Sequence, residues 1–315
     1  MINRKCFIIG IKGTQLTKKE LIFFKKYKPW GVILFSRNLK NFKQIKNLTS
    51  TIKKIFKDKN YPIMIDQEGG RINRLNKFIS LEKLTSEYFG NLFVKNRKEF
   101  LITYKLFVDK ISFLLNNLGI NINTVPVLDL KYKSSSKIIG DRSFSRNIKT
   151  VSDIGDLCIK YFLFNSIGTV IKHIPGHGLA KVDSHHFTPT VKKNINYLIK
   201  NDFMAFKSKN SLFAMTAHII FKKIDPDNTV THSKKMISII RNKIKFKNLI
   251  ISDDISMKSL KYSIAENTKK SFDAGCNLVL HCNGNLNEMI QVAENSPKVN
   301  SFVLKKTSEF YKNLS

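Results

Sequence analysis

The stretch Asn248-Leu-Ile-Ile-Ser-Asp-Asp-Ile-Ser-Met257 decides the fold. Its apolar core does not alternate with polar residues and is too short for an ordinary helix. Such a run predicts a strand covered on both faces, as in a parallel sheet. The apolar character stops at Ser252, Asp253 and Asp254. Working outward, similar short runs stand at residues 6–11, 31–35, 62–68, 120–130, 169–173, 212–218 and 277–282. Between them lie amphipathic segments at 16–27, 42–56, 99–117, 151–167, 195–207, 234–244 and 286–294, with lysines on their outer faces. Strands and helices in this alternation predict a closed (β/α)8 TIM barrel, an α/β fold filling residues 1–315 as a single domain. An open doubly wound sheet is the alternative. No internal repeat, low-complexity tract or Pro/Gly/Ser-rich linker marks a second domain.

Polar residues collect at the C-terminal ends of these runs. Asp66 and Glu68 close the third, Asp129 the fourth, Lys172 and His173 the fifth, His218 the sixth, and Asp253 with Asp254 the seventh. One acidic strand end is ordinarily the N-cap of the next helix. Five consecutive ends of this kind place an active site on the C-terminal rim, where barrels of this class do their chemistry.

Composition narrows the function classes. A hydrophobic share of 42% supplies a core without disulfides. Cys6, Cys158, Cys276 and Cys282 form no CxxC or Cys/His metal spacing, which suits reduced, buried thiols in a non-oxidising compartment. The N-terminus starts positively charged, but its apolar run ends after six residues at Lys12 and reads as a first strand, not a signal peptide. A cytoplasmic protein with no membrane partner is expected. The formal charge of +32 invites a nucleic-acid reading, yet only eight of the 55 basic residues are arginine. Nucleic-acid interfaces favour arginine for bidentate contacts. The lysines are spread over every predicted helix, so they read as solvated faces, and no nucleic-acid partner is expected. The positive field would still draw in small anionic substrates.

Two segments carry the chemistry. Asp253, fixed at a strand end, suits a nucleophile that must hold its place against an anomeric carbon, with Asp254 in structural support. The segment Ile171-Lys-His-Ile-Pro-Gly-His-Gly-Leu-Ala-Lys-Val-Asp-Ser-His-His186 leaves a strand, turns at Pro175-Gly176 and continues as a loop. In it Asp183 and His185 stand two residues apart, close enough for the carboxylate to orient an imidazole that carries a proton near neutrality. Its four histidines also raise zinc, but no HExxH or matched carboxylate set accompanies them and Lys172 would oppose a cation. No metal and no cofactor is expected. Lys172 and His173 stand at the root of the loop as donors to sugar hydroxyls, and Asp66 as an acceptor. Arg71 or Arg74, after the Gly69-Gly70 pair, and Arg142 are candidates to position substrate or to brace an acid. The alternative for each arginine is a surface ion pair. No phosphate cradle of the P-loop or Rossmann form is present.

These blocks resemble glycoside hydrolase family 3. The matching residues are Asp66-Gln-Glu-Gly-Gly-Arg71, Gly140-Asp-Arg-Ser-Phe144, Lys172-His-Ile-Pro-Gly-His-Gly178, Asp183-Ser-His185 and Ser252-Asp-Asp-Ile-Ser-Met257. Gly31-Val-Ile-Leu-Phe-Ser-Arg-Asn38 and Ala274-Gly-Cys-Asn277 also match, so the likeness runs from about residue 30 to 283. It is greatest to the family's compact bacterial β-N-acetylglucosaminidase branch, which serves peptidoglycan recycling. The resemblance implies a retaining exo-enzyme that removes terminal β-linked GlcNAc from GlcNAc-1,6-anhydro-MurNAc, with or without a stem peptide. It implies Asp253 as nucleophile, His185 as acid/base and Asp183 as its partner. It also implies that Asp66, Arg74, Arg142, Lys172 and His173 bind the sugar. The substrate would be a small anionic muropeptide or amino-sugar oligosaccharide, and the protein a monomer. Ile174 departs from the family's usual phenylalanine. A chito-oligosaccharide hexosaminidase, a GlcNAc phosphorylase and a degenerate sugar-binding protein are the alternatives.

Overall fold

The protein is described from a computed structural model, covering residues 1, 3–132, 138–180 and 188–314. Eight strands form the barrel wall: β1 (Lys5–Gly10), β2 (Pro29–Leu34), β3 (Ile63–Ile65), β4 (Ile122–Asn123), β5 (Gly168–Ile174), β7 (Phe213–Thr216), β9 (Leu249–Asp254) and β10 (Leu278–His281). They close in the order β1-β10-β9-β7-β5-β4-β3-β2, every pairing parallel. Two short strands, β6 (Thr190–Val191) and β8 (Ile220–Phe221), pair separately. The closure excludes the open doubly wound sheet.

Helices α1 (Lys18–Tyr27), α2 (Phe42–Ile55), α3 (Ser86–Lys95), α4 (Arg97–Asn117) and α5 (Ile148–Phe164) surround the first half. The second half has α6 (Ile195–Lys200), α7 (Lys234–Asn242), α8 (Ile264–Ala274), α9 (Leu286–Glu294) and α10 (Ser301–Lys312). Their starts follow ordinary capping chemistry. Thr17 and Glu20 form a capping box on α1, and Asn41 accepts from Gln44 N on α2. On α2 the buried Ile45, Leu48 and Ile52 recur at helical spacing, so one apolar stripe seats the helix on the barrel.

Strand parity positions the site. Cys6, Ile8, Ile33, Met64, Ile122, Val170, Phe213, Met215, Leu249, Ile251, Leu278 and Leu280 pack together inside the barrel, while Phe7, Ile9, Val32, Ile63, Ile171, Ala214, Ile250 and Val279 join the layer under the helices. Alternate residues on a strand share a face. The positions two residues beyond Met64, Ile122, Val170, Ile251 and Leu280 are Asp66, Thr124, Lys172, Asp253 and Cys282. Parity therefore stands this set on the apolar interior, around the barrel's C-terminal mouth.

The opposite end is plugged. Val303 and Phe310 of α10 pack with the barrel interior, Phe310 meets Phe213 edge-on at 5.5 Å, and Trp30 Nε1 donates to Thr307 Oγ1 at 2.8 Å. A side chain at Gly168 would stand 2.7 Å from the Phe310 ring, so the glycine admits the plug.

Three sequence expectations need correction. The helix at 195–207 breaks at Asn201 and continues as a 3-10 turn over Asp202–Phe206. The run at 120–130 is a two-residue strand, beyond which it follows β5 irregularly, Val125 and Pro126 accepting from Val170 N and Lys172 N and Leu128 N donating to the Lys172 carbonyl. Helices α3, α8 and α10 were not anticipated. Cys6, Cys158, Cys276 and Cys282 are free thiols. Among the described residues, no helix is long and apolar enough to cross a membrane.

Candidate active site

Asp66, Arg74, Arg142, Lys172, His173 and Asp253 line one cavity at the barrel mouth, about 820 Å³ including its open end. Ile33, Met215 and Leu280 form the apolar floor, and Phe35, Ile72, Ile139 and Met257 the sides. An apolar bowl with a few converging polar groups is the usual form of a small-molecule site. Arg74, not Arg71, folds back into it. Arg71 turns to Asp141 at 2.9 Å and to the Ile138 carbonyl.

One wall is an interlocked charge cluster. Lys172 Nζ is shared between Asp66 and Glu68, reaching Glu68 Oε1 at 2.6 Å and donating to Thr124 Oγ1 at 3.1 Å. Arg142 grips Glu68 through Nε and Nη2, both at 2.7 Å. Arg74 Nη2 meets Asp66 Oδ2 at 2.8 Å, and Thr124 Oγ1 donates to Asp66 Oδ1 at 2.7 Å. Burial favours the neutral acid at Asp66, but the charges of Lys172, Arg74 and Arg142 outweigh it and keep the carboxylate ionised. Burial opposes ionisation at Glu68 too and is outweighed by Arg142 and Lys172. Asp66 is thus a fixed, ionised hydrogen-bond acceptor on the cavity wall. Glu68 has a different task, since its oxygens are occupied in aiming Arg142 and Lys172.

A second buried carboxylate organises the root of the long loop. Asp129 Oδ2 lies 2.7 Å from His173 Nδ1, and Asp129 Oδ1 accepts from His177 N at 2.6 Å. A carboxylate accepts, so His173 Nδ1 carries the proton and the ring is held in one orientation. Close packing fixes the loop as well: a side chain at Gly178 would stand 2.2 Å from the Leu130 carbonyl oxygen. His177 also lines the cavity.

Across the cavity stands Asp253. Its Oδ1 accepts from Asp254 N at 2.8 Å. Burial would raise its pKa, yet His218, His173, the Asp254 N–H and Lys172 together hold it below the ordinary carboxylate value. Asp254 also lines the cavity, but its carboxylate is tied into structure, accepting from Ser256 N at 3.0 Å, Ser256 Oγ at 2.9 Å and Cys282 N at 3.2 Å. Arg37 secures the same corner by donating to the carbonyls of Cys282 and, at 3.0 Å, Ile11. An ionised, braced carboxylate facing a wall of hydrogen-bonding groups is placed to act as a nucleophile. Asp183 and His185 lie outside the described residues. Among the described residues no cluster of His, Cys, Asp and Glu is suited to a metal ion.

Sequence reading did not assign roles to Thr124, Glu68 or His218 within the site. Thr124 was detectable, two residues beyond Ile122 on the inward face. The pairing of Glu68 with Arg142 and of Asp129 with His173 is tertiary and left no signal at any single strand end.

Comparison with known proteins follows the same lines. Residues 11–306 match the family described as "Glycosyl hydrolase family 3 N terminal domain". The chain belongs to glycoside hydrolase family 3. Within the family, a β-hexosaminidase of Haemophilus ducreyi is 35% identical over 286 residues, covering 88% of this chain and 80% of the relative. A β-hexosaminidase of Haemophilus influenzae is 30% identical over 296 residues, covering 91% and 82%. The crystal structure of native NagZ from Neisseria gonorrhoeae superposes with a TM-score of 0.86 at 27% identity, covering 98% of this chain and 90% of that one. The same protein in complex with N-trifluoroacetyl-D-glucosamine gives 0.85 at 27% identity, with the same coverage. These relatives make the chain a glycoside hydrolase of the β-hexosaminidase kind.

Proposed function

We propose that this family 3 hydrolase is a retaining exo-β-N-acetylglucosaminidase that cleaves GlcNAc from GlcNAc-1,6-anhydro-MurNAc, with or without a stem peptide, in peptidoglycan recycling. The observation that carries the reading is the opposition across one cavity of ionised Asp253 and the Asp66–Lys172–Arg74–Arg142 wall. The wall suits a terminal sugar's hydroxyls: Asp66 accepts, Lys172, Arg74 and Arg142 donate, and His173, whose Nδ1 proton goes to Asp129, offers Nε2 as an acceptor. Asp253 then faces the anomeric carbon from below. His185, protonated and oriented by Asp183, gives its proton to the glycosidic oxygen as Asp253 forms the bond to carbon and the anhydro-sugar leaves. Water, deprotonated by His185, attacks the glycosyl–Asp253 ester and releases GlcNAc with its configuration retained. The imidazole takes the place of the usual second carboxylate, so the ordinary spacing between two catalytic carboxylates does not apply. The substrate is a soluble anionic fragment, and we place the enzyme in the cytoplasm as a monomer.

The test is GlcNAc release from purified GlcNAc–anhydro-MurNAc by the parent and by Asp253→Asn. Loss of the nucleophile is expected to remove at least about 10³-fold of the rate, leaving the residual that binding and electrostatics alone supply. Free GlcNAc from the parent and only that residual trace from the variant is the expected outcome. GlcNAc 1-phosphate in phosphate buffer would reassign the enzyme as a phosphorylase. Undiminished release by the variant would remove Asp253 from the mechanism.

A further inference from the structure

Asp253 is held by its neighbour, and the neighbour is held at three points. The Asp254 N–H donates to Asp253 Oδ1, the Asp254 carboxylate is tied to Ser256 and Cys282 N, and the Asp254 carbonyl lies 3.0 Å from His218 Nε2. His218 is fully buried and does not line the cavity, so it reaches the reacting atoms only through that peptide.

The proton positions around His218 follow from chemistry. A carbonyl oxygen only accepts, so Nε2 carries a hydrogen. His218 Nδ1 lies 2.7 Å from Thr231 Oγ1, which lies 2.8 Å from Thr216 Oγ1. Burial, stronger than the pull of Asp253 and Asp254, lowers the pKa of His218 below that of an ordinary imidazole. With the ring uncharged, Nδ1 accepts from Thr231, and Thr231 in turn accepts from Thr216. One arrangement of the protons satisfies every group, and it locks the tautomer that presents a donor to Asp254.

We infer that His218 is a positioning residue for Asp253, pinning the Asp254 carbonyl through its Nε2–H and so aiming the Asp253 carboxylate at the anomeric carbon. The inference rests on the reading of Asp253 as the nucleophile. An uncharged donor serves this purpose better than a cation would. It fixes the peptide without pairing with the carboxylate, whose lone pairs stay available for attack. Misplacement of a reacting group by about 1 Å costs on the order of 10²-fold in rate, so a hydrogen bond one peptide away from the nucleophile is read in turnover, not in sugar affinity.

The experiment compares His218→Phe, His218→Gln and Thr231→Val in the full chain. It uses an aryl β-N-acetylglucosaminide for kcat and KM, and calorimetric binding of GlcNAc. His218→Phe is expected to lower kcat about 10²-fold while KM and the GlcNAc Kd stay within about threefold. His218→Gln, whose Nε2 donor can occupy the imidazole's place, is expected to recover at least about tenfold of that loss. Thr231→Val, which leaves Asp254 untouched but unlocks the tautomer, is expected to lower kcat about tenfold with the Kd unchanged. A parental kcat in His218→Phe, a glutamine variant no better than phenylalanine, or equal losses of kcat and GlcNAc affinity would each overturn the inference. Should the phenylalanine variant not fold, Thr231→Val decides: a parental kcat there overturns it. Asp253→Asn run alongside separates the two readings. Activity in that variant removes the nucleophile itself, whereas an inactive Asp253→Asn beside fully active His218 and Thr231 variants removes only the role of His218.

Discussion

Buried imidazoles give this protein a distinctive response to acid. Burial, reinforced by nearby His173, lowers the pKa of His177 from 6.5 to about 4, and burial with His218 nearby does the same for His232. Between these values the unfolded chain binds protons that the folded chain refuses, so stability is complete above about 6.5 and is lost as pH falls toward about 4. Each group contributes about 3 kcal/mol across that window. Asp202 acts in the opposite direction, because burial raises its pKa from 3.8 to about 6 despite the 2.9 Å hydrogen bond from Tyr132, and the folded chain takes up that proton first. Two depressed histidines outweigh one raised aspartate, and His218 adds to the same side. The urea midpoint is therefore expected to fall as pH drops from about 6.5 to about 4. His232→Phe, placed 6.1 Å from the Tyr262 ring, should flatten that slope. A midpoint that rises on acidification would show that Asp202 dominates.

At the scale of elements, the strands were legible and several helices were not, for the same reason. Strand runs such as 248–254 are apolar on both faces and stand out in any window. Helix α8 turns Asn267, Thr268, Ser271 and Ala274 inward, so it shows no apolar stripe to read. Helix α10 spends its apolar residues on a plug that only the closed barrel creates. The site divides along similar lines. Asp66, Lys172 and Asp253 follow from strand parity, whereas the grip of Glu68 on Arg142 needs two loops brought together by packing. Helix α3 supports that grip at Gly90, where an added side chain would stand 1.6 Å from the Phe144 carbonyl oxygen, two residues beyond Arg142. The atoms met are all backbone, so no side chain can swing aside and a backbone must shift. Gly90→Ala is expected to cost about 3 kcal/mol, the upper part of the range for overpacking. It should also raise KM by displacing Arg142, with thermal unfolding and steady-state kinetics as the checks. Parental values of both would mean that α3 moves freely against the segment bearing Arg142.

For the whole molecule, the charge of +32 affects arrival more than chemistry. A field of this sign speeds encounter with anions and fades once the Debye length shrinks to about 10 Å at 0.1 M salt. The kcat/KM for an anionic muropeptide should therefore fall with added salt, while that for a neutral aryl glycoside stays level. Parallel curves for the two substrates would assign the lysines to solvation alone.

The plug made by α10 has a consequence for traffic. A barrel stopped at one end is a blind alley, and whatever goes in must back out through the doorway it used. On the proposed function, the anhydro-sugar portion of the substrate would sit nearest that doorway, with the GlcNAc portion behind it. Departure is then ordered by position alone: the outer sugar goes first, its vacated place admits the water that frees the inner one, and GlcNAc leaves last.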